Sequence, residues 1–427
     1  MASMRKKGRE LMKTWALATA VAFLATTASY AQTTIRWLHI TSIPEEIELL
    51  QGAAREYEAA NPGVKIEDQF LENEAFKAKL TTLLQSGEAP DIFFSWGGGV
   101  MDEQVRSGVL RPIGDVVSQE TLDSIGSAGV SAFTRDGQLY GIARDVGEVV
   151  VWYNKDLFAQ AGVDPASMSD WTGFLAGVQK FKDAGITPLA IGGKDKWPVH
   201  FWWAKMIVRL AGQEQFNKAA SGEASFTDEP FVKAAGYLAE LGALQPFQEG
   251  WEAAGYGDAS GYFGDGKAAM HLMGDWDYSV MKDNSASKAG IPDDKLGIMP
   301  FPTVEGGLGD PSDTLGGLSG WLFSKNASDE SVKFVEWFNS AEVQKKFAEK
   351  AFYIPITQGA ADTMANPFKK QVADNINKAN WHALFFDQAL GPEVGGVFND
   401  LAVELAAGTI SPEDAAAELQ DAAEGSR

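Results

Sequence analysis

Apolar residues recur along the chain with two spacings, and the alternation between them sets out the elements. Thr34 to His39 predicts a short strand, and from about Pro44 the positions Ile47, Leu50, Ala54 and Tyr57 fall on one side of a helix. Asn61-Pro62-Gly63 stops that helix. Val64 and Ile66 alternate as in a strand, Phe76, Leu80, Leu83 and Leu84 return to helical spacing, and Asp91 to Ser95 forms an apolar strand. Strands alternating with helices predict a mostly parallel α/β lobe. Further on, Asp136-Gly137 makes a turn and Val149 to Tyr153 is a run of strand formers too apolar to face water. Helices are predicted at Ser169–Ala184, His200–Ala211 and Asp228–Leu244, with strands at Pro188–Ile191, Ala268–Met273 and Leu296–Phe301. Gly306–Gly317 has the composition of a surface connection. After it come a strand at Trp321–Ser324 and one helix over Ser328–Lys350, with Val332, Val335 and Phe338 on its inner face. Ser411-Pro412-Glu413-Asp414 marks the start of the last helix, with a cap, a proline in the first turn and an acid three residues after the cap.

Length divides this material into two lobes, because 427 residues exceed what one ordinary core organises. Residues 1–31 differ from the rest. Arg5, Lys6, Lys7, Arg9 and Lys13 precede an apolar stretch from Trp15 to Ala25 and small residues ending Ser29-Tyr30-Ala31, the plan of a secretory signal peptide cleaved near Ala31. No later run approaches the roughly 18–20 apolar residues of a membrane span. Cysteine is absent, so neither a disulfide nor a lipid-modified cysteine is expected, and a freely diffusing periplasmic monomer fits best. The net charge of −22 repels phosphate backbones and argues against a nucleic-acid partner.

Six segments, taken together, resemble the family 1 extracellular solute-binding proteins, the maltose-binding-protein-like receptors of ABC importers. They are Tyr57-Glu58-Ala59-Ala60-Asn61-Pro62-Gly63-Val64-Lys65, Ala89-Pro90-Asp91-Ile92, Asp136-Gly137-Gln138-Leu139-Tyr140-Gly141-Ile142-Ala143, Trp152-Tyr153-Asn154-Lys155-Asp156-Leu157-Phe158, Phe263-Gly264-Asp265-Gly266-Lys267-Ala268-Ala269-Met270 and Asp387-Gln388-Ala389-Leu390. Their order and spacing span essentially the whole chain after the leader. The resemblance implies a two-lobed α/β periplasmic binding protein fold whose hinge the chain crosses more than once. It implies one lobe from residues 32–143 plus 314–357 and another from 144–313 plus 358–427. It further implies a small oligosaccharide as ligand, membrane permease subunits of an ABC importer as partner, and capture by closure of the lobes over the ligand.

Thirteen tryptophans are present, and several stand beside glycine or polar residues outside periodic apolar runs. Trp96 follows a strand and precedes Gly97-Gly98-Gly99, at the carboxyl end of a strand where α/β lobes bind ligands. There an indole face stacks on the C–H side of a pyranose, and glycines let the backbone approach the ligand. Trp276, between Asp275 and Asp277, also follows a strand; Trp197, before Pro198, is a third candidate. Packing without a ligand is the alternative for each, and the expected role for Trp202, Trp203 and Trp337, which lie within helices. A sugar's hydroxyls need hydrogen-bonding partners. His39 at the end of the first strand is one candidate, with simple packing as its alternative. Asn73 and Glu74 either cap the second helix or, as their place in the family implies, touch ligand. Asp145, just past the implied hinge, and Asp387, in a loop after Trp381–Phe386, are candidate hydroxyl acceptors. Gly316 and Gly317 either present backbone amides from the second crossing or form a flexible connection.

Other chemistries have weaker support. An exported glycoside hydrolase needs two carboxylates about 5–10 Å apart, and Asp275 and Asp277, on one face if both lie on a strand, are the nearest pair. Neither a Gly-x-Ser-x-Gly elbow nor a His-Glu-x-x-His zinc motif occurs. Four scattered histidines without cysteine do not suggest a transition metal, and Gly257-Asp258 to Gly264-Asp265 offers oxygen ligands without EF-hand spacing. No Walker A sequence is present, so ATP hydrolysis would belong to another subunit. No metal and no cofactor is expected, and the chain is expected not to be an enzyme. A binder of polyamine, peptide or metal chelate is the remaining class, distinguished by carboxylate clusters in place of aromatic platforms. The Trp96 and Asp387 segments are similar to those of receptors for di- and trisaccharides, including α-galactosides of the raffinose and melibiose type and xylo-oligosaccharides.

Overall fold

A computed structural model describes residues 32–427; the leader and its cleavage point lie outside the described residues. The strands in chain order are β1 (Thr33–His39), β2 (Val64–Phe70), β3 (Ile92–Ser95), the short hairpin β4 (Thr134–Arg135) and β5 (Gln138–Leu139), β6 (Gly141–Asn154), β7 (Thr187–Ala190), β8 (Ala268–Gly274), β9 (Leu296–Met299), β10 (Thr314–Phe323), β11 (Ile354–Pro355) and β12 (His382–Leu384). Hydrogen bonding runs in the order β2-β1-β3-β10-β6-β8-β7. The parallel pairing expected of the first strands holds for β1, β2 and β3, and the sheet as a whole is mixed. β1 is parallel to β2 and β3, and β7 to β8, but β10 runs antiparallel to β3 and β6, and β6 antiparallel to β8 and β9.

β6 and β10 account for most of what the pattern missed. Val149–Tyr153 is only the second half of β6, a 14-residue strand buried along most of its length, and β10 begins inside the segment expected to be a surface connection. Burial on both faces removes the period of two by which a strand is recognised. Gly316 and Gly317 accordingly stand in register opposite Glu148 and Gly147 and are not a flexible connection. The helix expected over Ser328–Lys350 is two, Asp329–Phe338 and Ala341–Glu349. Asn339 causes the break by turning inward, where its Nδ2 donates to the Ala143 carbonyl at 2.7 Å. The last helix starts as its sequence predicts, with Ser411 Oγ accepting from the Asp414 amide at 3.1 Å.

Two separate hydrophobic cores form. One surrounds Trp37, which meets Trp321, Phe334 and Phe338 edge-on at 5.1–5.2 Å between ring centroids. The other contains Trp152, Trp202 and Trp203, with Trp203 stacked on Phe398 at 4.3 Å. The chain leaves the first core after Ala143 and enters the second at Val149, returns between Leu315 and Trp321, and leaves again over Phe347–Ile354, where Ala348 already packs in the second core and Tyr353 is the last residue in the first. These three crossings lie side by side, because β6 pairs with both β10 and β11. At the first, a β-bulge sets Ser319 opposite Asp145 and Gly320 opposite Ala143, leaving Arg144 as the extra residue. Its guanidinium lies over Tyr353, Phe94 and Trp321 at 4.2, 5.1 and 5.4 Å and pairs with Asp145.

Near the third crossing, Lys369 is fully buried, and its Nζ donates to Asp275 Oδ2 (2.6 Å), the Asp275 carbonyl (2.9 Å) and the Phe352 carbonyl (3.3 Å). Lys369→Met leaves the Asp275 carboxylate buried and unpaired, a loss of about 3–5 kcal/mol. Urea unfolding followed by circular dichroism is expected to show it, with Lys369→Met plus Asp275→Asn recovering part of the difference.

Candidate binding site

A cleft separates the two cores, and the crossings form its floor through Asp145 and Gly147 of β6, Gly317 and Ser319 of β10, and Tyr353. Asn73, Lys77 and Trp96 stand on the wall of the first core, and Trp197, His200, Tyr256, Trp276 and Asp387 on the other. The empty space is about 1270 Å³, part of it open to solvent.

Three indoles reach this space. Trp96 is wedged by Phe94 and Phe76, edge-on at 5.1 and 6.0 Å. Trp197 opens the helix Trp197–Leu210, with Pro198 in its first turn, and meets Tyr256 at 4.9 Å. Trp276 follows β8 and lies directly over Gly274, where a Cβ would stand 2.1 Å from the ring, so that glycine is what lets the indole lie down. Between the walls the Lys77 ammonium sits 5.5 Å from the Trp96 ring centroid and 5.7 Å from that of Trp197, with Glu74 at 3.5 Å and Asp387 at 3.8 Å. The sequence reading missed Lys77. One helical turn separates it from Asn73, and that spacing was the available signal.

Asp145, Asn73, Asp387 and Gly317 line the cleft with the three tryptophans; His39 and Glu74 do not. The His39 expectation is corrected because both ring nitrogens are occupied. Nε2 bonds Asp68 Oδ1 at 2.7 Å and Nδ1 accepts from the Thr41 amide at 3.1 Å, while the next residues, Ile40 to Ile43, form the wall. Glu74 lines a neighbouring cavity and accepts from Asn73 Nδ2 at 2.8 Å. The cap of that helix is neither Asn73 nor Glu74 but Glu72, which accepts from the Glu74 and Ala75 amides. Asp387 lies in a short helix, Phe386–Ala389, and not in a loop.

The hydrolase pair is also corrected. β8 ends at Gly274, so Asp275 and Asp277 do not share a strand face. Asp275 is engaged by Lys369; Asp277 is fully buried off the cleft, accepts from Ser260 Oγ (2.6 Å) and Tyr256 OH (2.9 Å), and burial raises its pKa. The stretch around Gly257–Asp265 is a helix, Tyr256–Gly264, in which Asp258 accepts from the Gly255 amide. No metal-binding cluster of acidic or histidine side chains occurs among the described residues.

Two further cleft residues escaped the sequence reading. Glu46 faces the floor near Arg144, and burial raises its pKa. His200 sits within an all-buried helix with neither ring nitrogen in a hydrogen bond of good geometry to protein, and burial lowers its pKa to about 4. Neutral imidazole there offers one donor and one acceptor.

Opposite Asp387 the walls touch backbone to backbone. The triple glycine expected to admit ligand instead starts the helix Gly98–Arg106 and admits the other wall. A Cβ on Gly98 would lie 2.6 Å from the Gln388 carbonyl oxygen, and one on Gly99 2.7 Å from the Gly391 nitrogen and 2.8 Å from the Ala389 oxygen.

A family model described as "Bacterial extracellular solute-binding protein" matches residues 42–345. Among relatives, an uncharacterized ABC transporter extracellular-binding protein of Pyrococcus horikoshii is 27% identical over 261 residues, covering 60% of this chain and 58% of that one. The chain thus aligns with less than two thirds of that relative's length. A structure from work on xylan utilization by the thermophilic bacterium Caldanaerobius polysaccharolyticus superposes with a TM-score of 0.84 at 26% identity, covering 91% of this chain and 99% of that one. A chitin oligosaccharide binding protein superposes with a TM-score of 0.83 at 26% identity, covering 92% and 98%.

Gly98 has a positive φ of 64° but Gly99 does not, so a methyl at Gly99 acts only across the gap. Gly99→Ala is expected to hold the walls apart, giving a larger radius of gyration by small-angle X-ray scattering, with a melting free energy within about 1 kcal/mol of wild type. His200 is neutral when folded and regains a pKa near 6.5 when unfolded, so acid favours the unfolded chain. Wild type is therefore expected to lose about 3 kcal/mol relative to His200→Gln as pH falls from 6.5 to 4, read from urea midpoints across that window.

Proposed function

The chain belongs to the bacterial extracellular solute-binding proteins, and we propose that it is the exported, periplasmic component of an ABC importer that captures a short oligosaccharide by closing two lobes over it. The lobes in this reading are residues 32–143 with 314–357 and residues 144–313 with 358–427, joined through the three adjacent crossings. The leader is cleaved near Ala31 and the mature monomer delivers its ligand to membrane permease subunits. The reading rests above all on one observation: Trp96, which follows β3 of the first core and packs against both cores, and Trp197 and Trp276 of the second core face a single cleft. A pyranose stacked between them contacts both lobes at once. Its affinity for the closed state then exceeds that for the open state, which is the condition for driving closure. Asn73, Asp145, Asp387 and Lys77 supply donors and acceptors around the ring edges. Di- and trisaccharides suit the space, with xylo-oligosaccharides favoured by the similarity to the structure from xylan-utilization work and α-galactosides such as raffinose and melibiose as the second choice.

The polyamine reading is disfavoured by Lys77, whose ammonium already occupies the space between two indoles and repels an incoming amine. Catalysis is disfavoured by the engagement of Asp275 with Lys369 and the burial of Asp277.

Intrinsic tryptophan fluorescence titrated with xylobiose, xylotriose, melibiose, raffinose and spermidine tests the assignment. Saturation by a sugar is expected, with Trp96→Ala, Trp197→Ala and Trp276→Ala each weakening it by about 1–3 kcal/mol. Saturation by spermidine alone, or release of a shortened sugar, overturns the reading.

A further inference from the structure

Trp197 lines the cleft with only 7% of its surface exposed, so the tilt of the ring decides which part of the indole a ligand meets. Two rings set that tilt edge-on, Phe201 at 5.4 Å and Tyr256 at 4.9 Å. We propose that Asp277, fully buried off the cleft, is a positioning residue for ligand binding: it holds the Tyr256 hydroxyl, and through the Tyr256 ring it fixes the face of Trp197 presented to the sugar. This inference rests on the reading of the cleft as a sugar site.

Tyr256 is anchored at both ends. Its amide donates to Asp195 Oδ2 at 2.6 Å, and the Asp195 carbonyl accepts from the Trp197 amide at 2.7 Å, so one residue ties the two backbones together. Its hydroxyl donates to Asp277 Oδ1 at 2.9 Å, where Ser260 Oγ also donates at 2.6 Å. Burial pushes the Tyr256 pKa well up, and the Asp277 carboxyl beside it adds to the rise, so the phenol stays a donor. Asp277 opens the helix Asp277–Asn284, and Ser260 lies in the helix Tyr256–Gly264. Those helices meet main chain to main chain. A Cβ on Gly261 would stand 2.5 Å from the Asn284 carbonyl oxygen, and one on Gly264 2.2 Å from that of Met281. Side chains at either position would hold the carboxyl away from the two hydroxyls.

The carboxyl is steadied from its other side by His271 of β8. Nδ1 of that ring lies 2.8 Å from the Ala190 carbonyl oxygen, which can only accept, so Nδ1 carries a hydrogen and Nε2 of the neutral ring is bare. Nε2 stands 3.6 Å from Asp277 Oδ2, and neither atom has a hydrogen-bond partner in the protein. Two lone pairs facing each other in a buried site repel, and one proton held between the carboxyl and the imidazole removes the repulsion whichever of the two carries it. That proton sets the rotation of the carboxyl, with Oδ2 towards β8 and Oδ1 towards the two hydroxyls. A carboxamide meets the same demands, its oxygen accepting from the hydroxyls and its Nδ2 donating to Nε2.

Calorimetric titration with xylotriose and raffinose, using whichever saturates wild type, is paired with fluorine NMR of fluorotryptophan-labelled protein. The resonance lost in Trp197→Phe is that of Trp197. Asp277→Ala is expected to weaken sugar binding about tenfold and to shift or broaden the Trp197 resonance of the sugar-free protein, and Tyr256→Phe to do the same. Asp277→Asn is expected to keep both properties, with affinity within about threefold of wild type and the resonance in place. Retention by the amide separates orientation of the Tyr256 hydroxyl from a need for charge at this position. Wild-type affinity with an unmoved resonance in Asp277→Ala overturns the proposal. So does weakening by Tyr256→Phe alone, which assigns the hydroxyl to the ligand itself, and so does an Asp277→Asn variant as weak as Asp277→Ala. Should Asp277→Ala not fold, Tyr256→Phe stands in for it in both measurements. If neither sugar binds wild type, the cleft reading falls, while an unmoved Trp197 resonance in Asp277→Ala still overturns the positioning role and a moved one supports it.

Discussion

The architecture depends on how three chain crossings share one narrow strip. β6 and β10 run antiparallel through it, β11 pairs alongside, and the bulge at Arg144 places a guanidinium over Phe94, Trp321 and Tyr353. Tyr353 belongs to the third crossing, β10 carries Trp321 onward from the second, and Arg144 is the first. One cation thus rests on aromatic rings from two of the crossings and from the adjoining strand β3. A buried charge of this kind is tolerable only when paired, and Asp145 provides the partner. Because Arg144 and Asp145 also line the cleft, these two residues belong both to the site and to the joint between the cores.

The sequence revealed elements wherever one face was buried and the other wet. The strand Thr33–His39, the helices Pro44–Ala60 and Trp171–Asp183, and the capped final helix all show such patterning. It failed for β6 and β10, where both faces are covered and the alternation disappears. Trp96, Trp197 and Trp276 were legible in the cleft because each stands at the end of a strand or the start of a helix, although Trp197 is also buried in the second core. His39 was misplaced because a strand-ending position does not reveal which way the ring turns; Asp68 and the Thr41 amide turn it away from the cleft. Lys77, His200 and Glu46 were missed for a related reason. On a helix, a residue that borders a cleft has the same spacing as one that borders a core.

The charges inside the cleft are arranged so that few remain uncompensated. Lys369 neutralises Asp275, Arg144 is paired with Asp145, and Lys77 lies between Glu74 and Asp387. A cleft lined this way offers strong hydrogen-bond donors and acceptors while exerting little net pull on an ion. That suits recognition of hydroxyls, where direction counts for more than charge.

The contact of Gly98 and Gly99 with Gln388, Ala389 and Gly391 involves main chain on both sides. Side chains around the indoles can therefore be exchanged without altering how far apart the two halves come to rest. In the function proposed above, sugar preference is free to drift within the cleft while the outer contour of the closed molecule stays constant. A membrane partner that reads only that contour would accept the protein whichever sugar it carried.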